Sequence, residues 1–230
     1  MKKLIMIAAA ATLLAIGSCD RNTPDGGEAK SAEIGGETLK MENPEYMETQ
    51  LAKLAPVEIA CPEEGLSDGD KKALRKLVAA AAVMDEIFLK QVYARNLEIR
   101  AALEQSTAPG AEPARRMFAI HFGPFDRINH NHPFIGDRPK PAGANYYPGD
   151  MTKTEFLEHV KVHPDDETAF TSNFTLISRR KGRLVAIPYS EAYATELAKA
   201  AALMNEAAEF TENPSLKTFL RSRAAAFKSN

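Results

Sequence analysis

Residues 121–151 read HFGPFDRINHNHPFIGDRPKPAGANYYPGDM and hold three of the chain's five histidines, five prolines, four glycines and five Phe or Tyr rings. The prolines at 124, 133, 139, 141 and 148 lack an amide donor and push the residue before each toward extended geometry, so the stretch is not a helix. A segment of this length without periodic structure is uncommon in a compact domain and is usually kept for function or left disordered. Its rings argue against disorder. Two readings stand: a connector stapled to the core by its aromatic side chains, or a ligand-facing loop. Everything to either side reads as helical scaffold that holds it.

On the N-terminal side, residues 67–105 place Leu74, Leu77, Met84, Phe88, Val92, Ile99 and Leu103 mostly at three-, four- and seven-residue steps, which predicts one long helix. At 1.5 Å per residue it would run ~60 Å. Ser67 with Asp70 gives it a capping-box-like start, and the alanines at 79–82 leave room for close approach of another helix. Ala108-Pro109-Gly110 ends it, and residues 115–122 read as a short strand. Further upstream, Asn43-Pro44 opens a short helix using Tyr46, Leu51 and Leu54.

On the C-terminal side, Thr152 and Glu155 form a capping box for a helix through Val162. It carries His159 and His163 at i,i+4 with Glu167 beyond, but Val160 stands where an HExxH motif needs glutamate, and Pro164 disfavours helix at His163. The pair therefore reads as a solvated helix end rather than a metal site. Residues 174–178 and 184–188 form a β-hairpin around the basic turn 179–182, which must pack on a helix or join a larger sheet to be stable. A helix over 190–210 uses Tyr193, Leu197, Ala201 and Met204, and Asn213-Pro214 caps a last one using Leu216, Phe219, Leu220, Ala224 and Phe227. The fold class is α+β, predominantly helical, with a small β part at 174–188.

The N-terminus addresses compartment. Met1-Lys2-Lys3, an apolar run over 4–16 and the small pair Gly17-Ser18 make a bacterial export signal, and Cys19 directly after them resembles the lipid-bearing residue of a lipoprotein. The expected organisation is a signal peptide at 1–18, a flexible glycine-rich tether at 19–42 and a mainly helical domain at 43–230. Removing 1–18 leaves 27 Lys and Arg against 31 Asp and Glu, a net charge of −4 that predicts no nucleic-acid partner. With Cys19 lipidated, Cys61 has no disulfide partner within the chain. The product would be exported and lipid-anchored to a membrane of the cell envelope.

The phrases FGPFDRINHNHPFI (122–135), KPAGANYYPGDMTKTEF (140–156), LVAIPYSEAY (184–193) and NPSLKTFLRSRAAAF (213–227) resemble the N-terminal part of bacterial dipeptidyl-peptidase III proteins, over most of the chain from residue 43 onward. The resemblance implies a piece of a two-lobed, mainly helical zinc peptidase that removes dipeptides from peptide N-termini. It also implies zinc held by two histidines of an HExxGH-type motif and a glutamate of a later EExxAE-like motif. Neither motif occurs here: His121, His130, His132, His159 and His163 are followed by Phe122, Asn131, Pro133, Val160 and Pro164. No catalytic residue and no metal ligand is carried over, so zinc is implied for the whole family protein and not for this chain.

Two functions follow from these readings. The first is the N-terminal, non-catalytic portion of an exported dipeptidyl-peptidase III-like hydrolase, inactive alone and partnered by a missing catalytic half. The second is a membrane-anchored peptide-binding or scaffold lipoprotein without catalysis. An exposed apolar face of Leu216, Phe219, Leu220 and Phe227 would favour the first, because monomers rarely expose large apolar patches. An independent enzyme is disfavoured, as no GxSxG, Walker A or CxxC motif appears. Asn145, Tyr146, Tyr147 and Asp150 are the peptide-binding candidates, since an amide and phenols bond backbone while rings pack on side chains. Packing in the core is their alternative role, and Asp126 with Arg127 is expected to form an ion pair holding the loop.

Overall fold

The computed structural model describes residues 29–60 and 62–229; Cys19, the export signal and the start of the expected tether lie outside them. In chain order the elements are β1 (Glu33–Ile34), β2 (Glu37–Thr38), α1 (Pro44–Leu51), α2 (Asp68–Val92), α3 (Asn96–Gln105), α4 (Ala111–His121), β3 (Phe125–Asp126) and β4 (His132–Pro133). They continue with α5 (Lys153–Val162), α6 (Glu167–Phe170), β5 (Thr175–Arg180), β6 (Arg183–Pro188), α7 (Tyr189–Ala192), α8 (Ala194–Phe210) and α9 (Pro214–Ala226). Among the described residues the strands pair as three separate antiparallel hairpins, so the fold is α+β and predominantly helical, as the sequence predicts. None of the helices among the described residues is long and apolar enough to cross a membrane.

Local chemistry sets the helix starts. Asn43 accepts the Glu45 amide with Pro44 at the first helical position, Ser67 accepts the Asp70 amide, Thr152 accepts the Glu155 amide, and Asn213 accepts those of Ser215 and Leu216. The long helix expected over 67–105 is two helices. Tyr93 at φ −159°, ψ 134° interrupts it, and the wholly buried Asn96 stabilises the break by donating from Nδ2 to the Leu89 carbonyl at 2.9 Å. The expected stripe is also rotated: Ala73, Ala80, Val83 and Ile87 are buried, whereas Leu74, Leu77, Met84 and Phe88 are half-buried. Residues 115–122 are no strand; they lie in α4 up to its left-handed cap at Phe122, with Ala114, Met117, Phe118 and His121 buried at helical spacing.

The described residues fall into two compact units. One comprises residues 29–60, Pro62 and Leu97–Pro139, the other residues 63–96 and 140–229. In the first, α1 packs on α4, and residues 30–42, expected as solvated tether, are mostly exposed but form a short hairpin tied to the unit at several points. The Lys30 carbonyl accepts the Thr107 and Ala108 amides at 2.9 and 3.0 Å, Ala32 is fully buried, and Met41 bridges to Ile135. Their glycines are not linker residues: Gly35 and Gly36, both at positive φ, turn the β1–β2 hairpin.

In the second unit α2, α8 and α9 meet through the small residues Ala73, Ala207 and Ala208 and through Leu220, with Leu77, Met204 and Leu216 around them. The expected helix over 190–210 is split at Tyr193 into α7 and α8. The β5–β6 hairpin runs from Thr175↔Pro188 to Arg180↔Arg183, turning at Lys181 and Gly182, both at positive φ. It meets the packing requirement of an isolated hairpin through Phe170, Ile177 and Leu184, which pack with Met151, Phe156 and Val160.

Candidate functional site

The second half of the proline-rich stretch, residues 140–156, is built onto the end of α2. A helix leaves its last carbonyls without partners in the helix. Here Asn145 takes two of them: its backbone amide donates to the Gln91 carbonyl at 2.9 Å and its Nδ2 to the Lys90 carbonyl at 2.7 Å. The turn leading there closes by Ala144 amide to Pro141 carbonyl at 3.0 Å and holds Ala144 at φ 47°, a left-handed conformation that a residue with a Cβ adopts only when its surroundings impose it.

Tyr146 follows the same logic. Its hydroxyl donates to the Gln91 side-chain oxygen at 3.3 Å and its carbonyl accepts the Ile177 amide of β5 at 2.9 Å. Tyr193 also hydrogen-bonds Gln91, and burial pushes its phenol up to about 12. Asp150 pairs with Arg179 at 3.2 Å, and the same guanidinium grips both Glu155 oxygens at 2.7 and 3.1 Å. That grip holds the Glu155 carboxyl below its ordinary range and ties the start of α5 to β5. Of the four candidates, Asn145, Tyr146 and Asp150 thus spend their polar groups on the protein. Tyr147 does not: 40 % exposed, it stands edge-on to Phe156 and lines a pocket of about 360 Å³ with Pro141, Pro148, Met151 and Lys153.

The first half of the stretch carries a polar network that the sequence reading missed. Asp126, fully buried, accepts the Tyr46 hydroxyl at 2.9 Å and the Ile128 and Asn129 amides at 3.0 and 3.2 Å. Asn129 in turn donates to the Tyr46 oxygen at 3.0 Å. Beside this network, Arg127 offers its backbone amide to Nδ1 of buried His121 at 3.3 Å. Burial lowers the His121 pKa, with Asp126 opposing the shift from 3.6 Å. The Asp-x-x-Asn spacing of residues 126–129 marks the turn; Tyr46, 80 positions away, leaves no local signal.

No family model matches the chain. Among solved structures, dipeptidyl-peptidase III from Caldithrix abyssi matches at 51 % identity and a TM-score of 0.78, over 80 % of this chain and 35 % of that one. Dipeptidyl-peptidase III from Corallococcus sp. strain EGB matches at 36 % identity and a TM-score of 0.79, over 83 % of this chain and 36 % of that one. The chain belongs to the dipeptidyl-peptidase III family. A curated relative, Nudix hydrolase 3 of Arabidopsis thaliana, is 29 % identical over 236 aligned positions, covering 80 % of this chain and 31 % of that protein. The chain therefore spans about a third of each relative it matches. The Nudix name belongs to a protein of which over two thirds lies outside the match.

Dipeptidyl-peptidase III membership raises the question of zinc, and the residues present do not fit it. His159 and His163 lie with ring centroids 4.8 Å apart, but His159 stacks on Phe170 at 4.3 Å and 9° and gives Nε2 to Asp166 at 2.9 Å. His163 already sits beyond the helix, at φ −123°, ψ 72°. Among the described residues no three His, Cys, Asp or Glu side chains are grouped to hold a metal ion. A catalytic site needs three protein ligands and an open position.

Nor does α9 present the apolar face expected of a missing half. Leu220 is 2 % exposed, Leu216 packs into the α2–α8–α9 core and Phe227 is half-buried. Phe219 stands exposed, with the Arg223 guanidinium 5.9 Å from its ring centre.

Proposed function

We propose that this dipeptidyl-peptidase III family chain supplies a non-catalytic portion of a zinc hydrolase: it positions peptide and scaffold, is inactive alone, and is held in the bacterial envelope by an acylated Cys19. One observation carries the reading. The chain matches two solved dipeptidyl-peptidases III over four fifths of its length, yet no histidine in its 230 residues is followed by glutamate. The water-activating chemistry of such a hydrolase then has to come from elsewhere.

The test incubates the chain, expressed from Cys19 onward, with one equivalent of zinc, removes loose metal by desalting and assays a dipeptidyl chromogenic substrate. The assay is run alone and with the part of the Caldithrix abyssi protein outside the match. No turnover alone and turnover on mixing is the expected result. Stoichiometric zinc with turnover by this chain alone, abolished by His159→Ala, sinks the reading. For the anchor, Cys19→Ala in the full chain should move the protein to the soluble fraction after a carbonate wash, because stable anchoring rests on the acyl chains; complete retention on the membrane places the anchor elsewhere.

A second reading, a membrane-anchored peptide-binding lipoprotein without catalysis, is favoured by the open pocket beside Tyr147. It shares the anchor and differs in needing no second half.

A further inference from the structure

We propose that the exposed run LAPVEIA, residues 54–60, is a docking strand, and that its occupant is a strand from the part of a dipeptidyl-peptidase III chain that lies outside the match. The inference rests on the reading of this chain as a non-catalytic portion and deepens it by naming where the other portion binds.

The exposed apolar surface that α9 does not offer is found here. Val57 and Ile59 are 78 % and 77 % exposed, more than any other large hydrophobic side chain among the described residues. Single apolar side chains at a surface are ordinary. These two, however, stand within a run, 52–60, in which every residue is exposed. The run leaves α1 by a turn in which the Leu54 amide donates to the Leu51 carbonyl at 3.0 Å. From residue 55 to 60 the backbone joins no helix or strand, and no described residue hydrogen-bonds to it. Free amides and carbonyls beside β-branched side chains are the template to which another strand adds.

The sequence suits that use. In an extended backbone successive side chains point to opposite sides, so Val57 and Ile59 share one face and Glu58 takes the other. Pro56 lacks a donor and is tolerated at the first position of a strand, and Pro62 closes the run, so pairing is confined to the residues between them. Main-chain bonds would supply the affinity, and Val57 and Ile59 the specificity.

Charge and chain length select the occupant. A second copy of this chain is a poor fit: the antiparallel register that sets Val57 of one copy against Ile59 of the other also sets the two Glu58 carboxylates directly opposite, which is destabilising. A strand with apolar residues against Val57 and Ile59 and a lysine or arginine opposite Glu58 meets both demands. The matched dipeptidyl-peptidases III have the chain to provide it, since this one spans 35 % and 36 % of their lengths.

The experiment follows amide hydrogen exchange at residues 57–60 in the chain from Cys19 onward, alone and fused to the part of the Caldithrix abyssi protein outside the match. Alone, these amides should exchange as in an unstructured peptide. In the fusion they should slow by about a hundredfold or more, as amides do that open only with their sheet. Ile59→Lys should lower the thermal midpoint of the fusion and leave that of the chain alone unchanged, because there the side chain stands in water. The same comparison on the mixed separate parts keeps the test decisive if the fusion does not fold. Absence of slowing in both formats overturns the proposal, as does slowing in the chain alone that grows with its concentration, the mark of a second copy. Turnover is read separately: turnover without protection at 57–60 sinks this docking strand and spares the reading it rests on, and protection without turnover does the reverse.

Discussion

Asn145 stands on the last turn of α2: its Nδ2 donates to the Lys90 carbonyl at 2.7 Å, from a residue 55 positions later in the chain. This one amide both satisfies a helix end and fixes the turn that walls the pocket. Asn145→Ala should lower stability by about 1–2 kcal/mol, because it leaves a partly buried carbonyl without its donor. Urea unfolding measures the loss. A change within about 0.3 kcal/mol would mean that water replaces the amide at no cost and that the turn is not fastened there.

Gly69 in α2 gives a prediction of opposite sign to helix propensity. Within a helix, Gly→Ala gains roughly 1 kcal/mol by propensity alone. Here the added Cβ would lie 2.4 Å from the Phe210 carbonyl oxygen at the end of α8, a backbone atom that cannot turn aside. Gly69→Ala should therefore destabilise by about 1–3 kcal/mol. A raised unfolding midpoint would show that α2 and α8 do not pack so closely.

What the sequence could and could not disclose follows from the range of the forces involved. The starts of α1, α2, α5 and α9 were legible because Asn43, Ser67, Thr152 and Asn213 act on amides two or three residues away. The break at Tyr93 was not, since the apolar period runs on through Ile99 and Leu103 and the residue that holds the break, Asn96, resembles any polar helix position. Residues 115–122 misled because aromatic and β-branched side chains favour strands on average, while burial in this fold selects Ala114, Met117, Phe118 and His121. Residues 30–42 misled through their glycines, which turn a hairpin here. Within the candidate site, Tyr147 is half-exposed, but its pocket depends on carbonyls of α2 that no local pattern connects to residue 145.

The β5–β6 turn offers a stabilising change. Lys181 at φ 51° and Gly182 at φ 78° form a two-residue turn with both central residues left-handed, for which asparagine then glycine is the favoured pair. Lysine in that conformation carries strain that asparagine relieves. Lys181→Asn should raise stability by about 0.5–1 kcal/mol, read as a higher thermal midpoint. A lower midpoint would mean that the Lys181 side chain makes a stabilising contact of greater worth.

His121 makes the stability of the first unit depend on pH. Its Nδ1 accepts the Arg127 amide, so the neutral ring carries its proton on Nε2, toward Asp126. Charging the ring requires a second proton on Nδ1, against an amide that already points there, in a site only 4 % exposed. Burial is the larger influence and the Asp126 charge the smaller, and the folded pKa lies below its ordinary value. The unfolded chain, with a histidine pKa of about 6.5, then binds more protons than the folded one between the two pKa values. Stability from this group is fully present above about pH 6.5 and is lost as pH falls through the lower, folded value. The Glu155 and Glu209 carboxyls, held low by Arg179 and Arg221, lose their contributions in a more acidic window, so they do not mask it. Urea midpoints measured between pH 7.5 and 5.5 should fall for the wild type and fall less for His121→Gln, whose side chain does not titrate. Parallel curves for the two proteins would show that another group sets the acid limit.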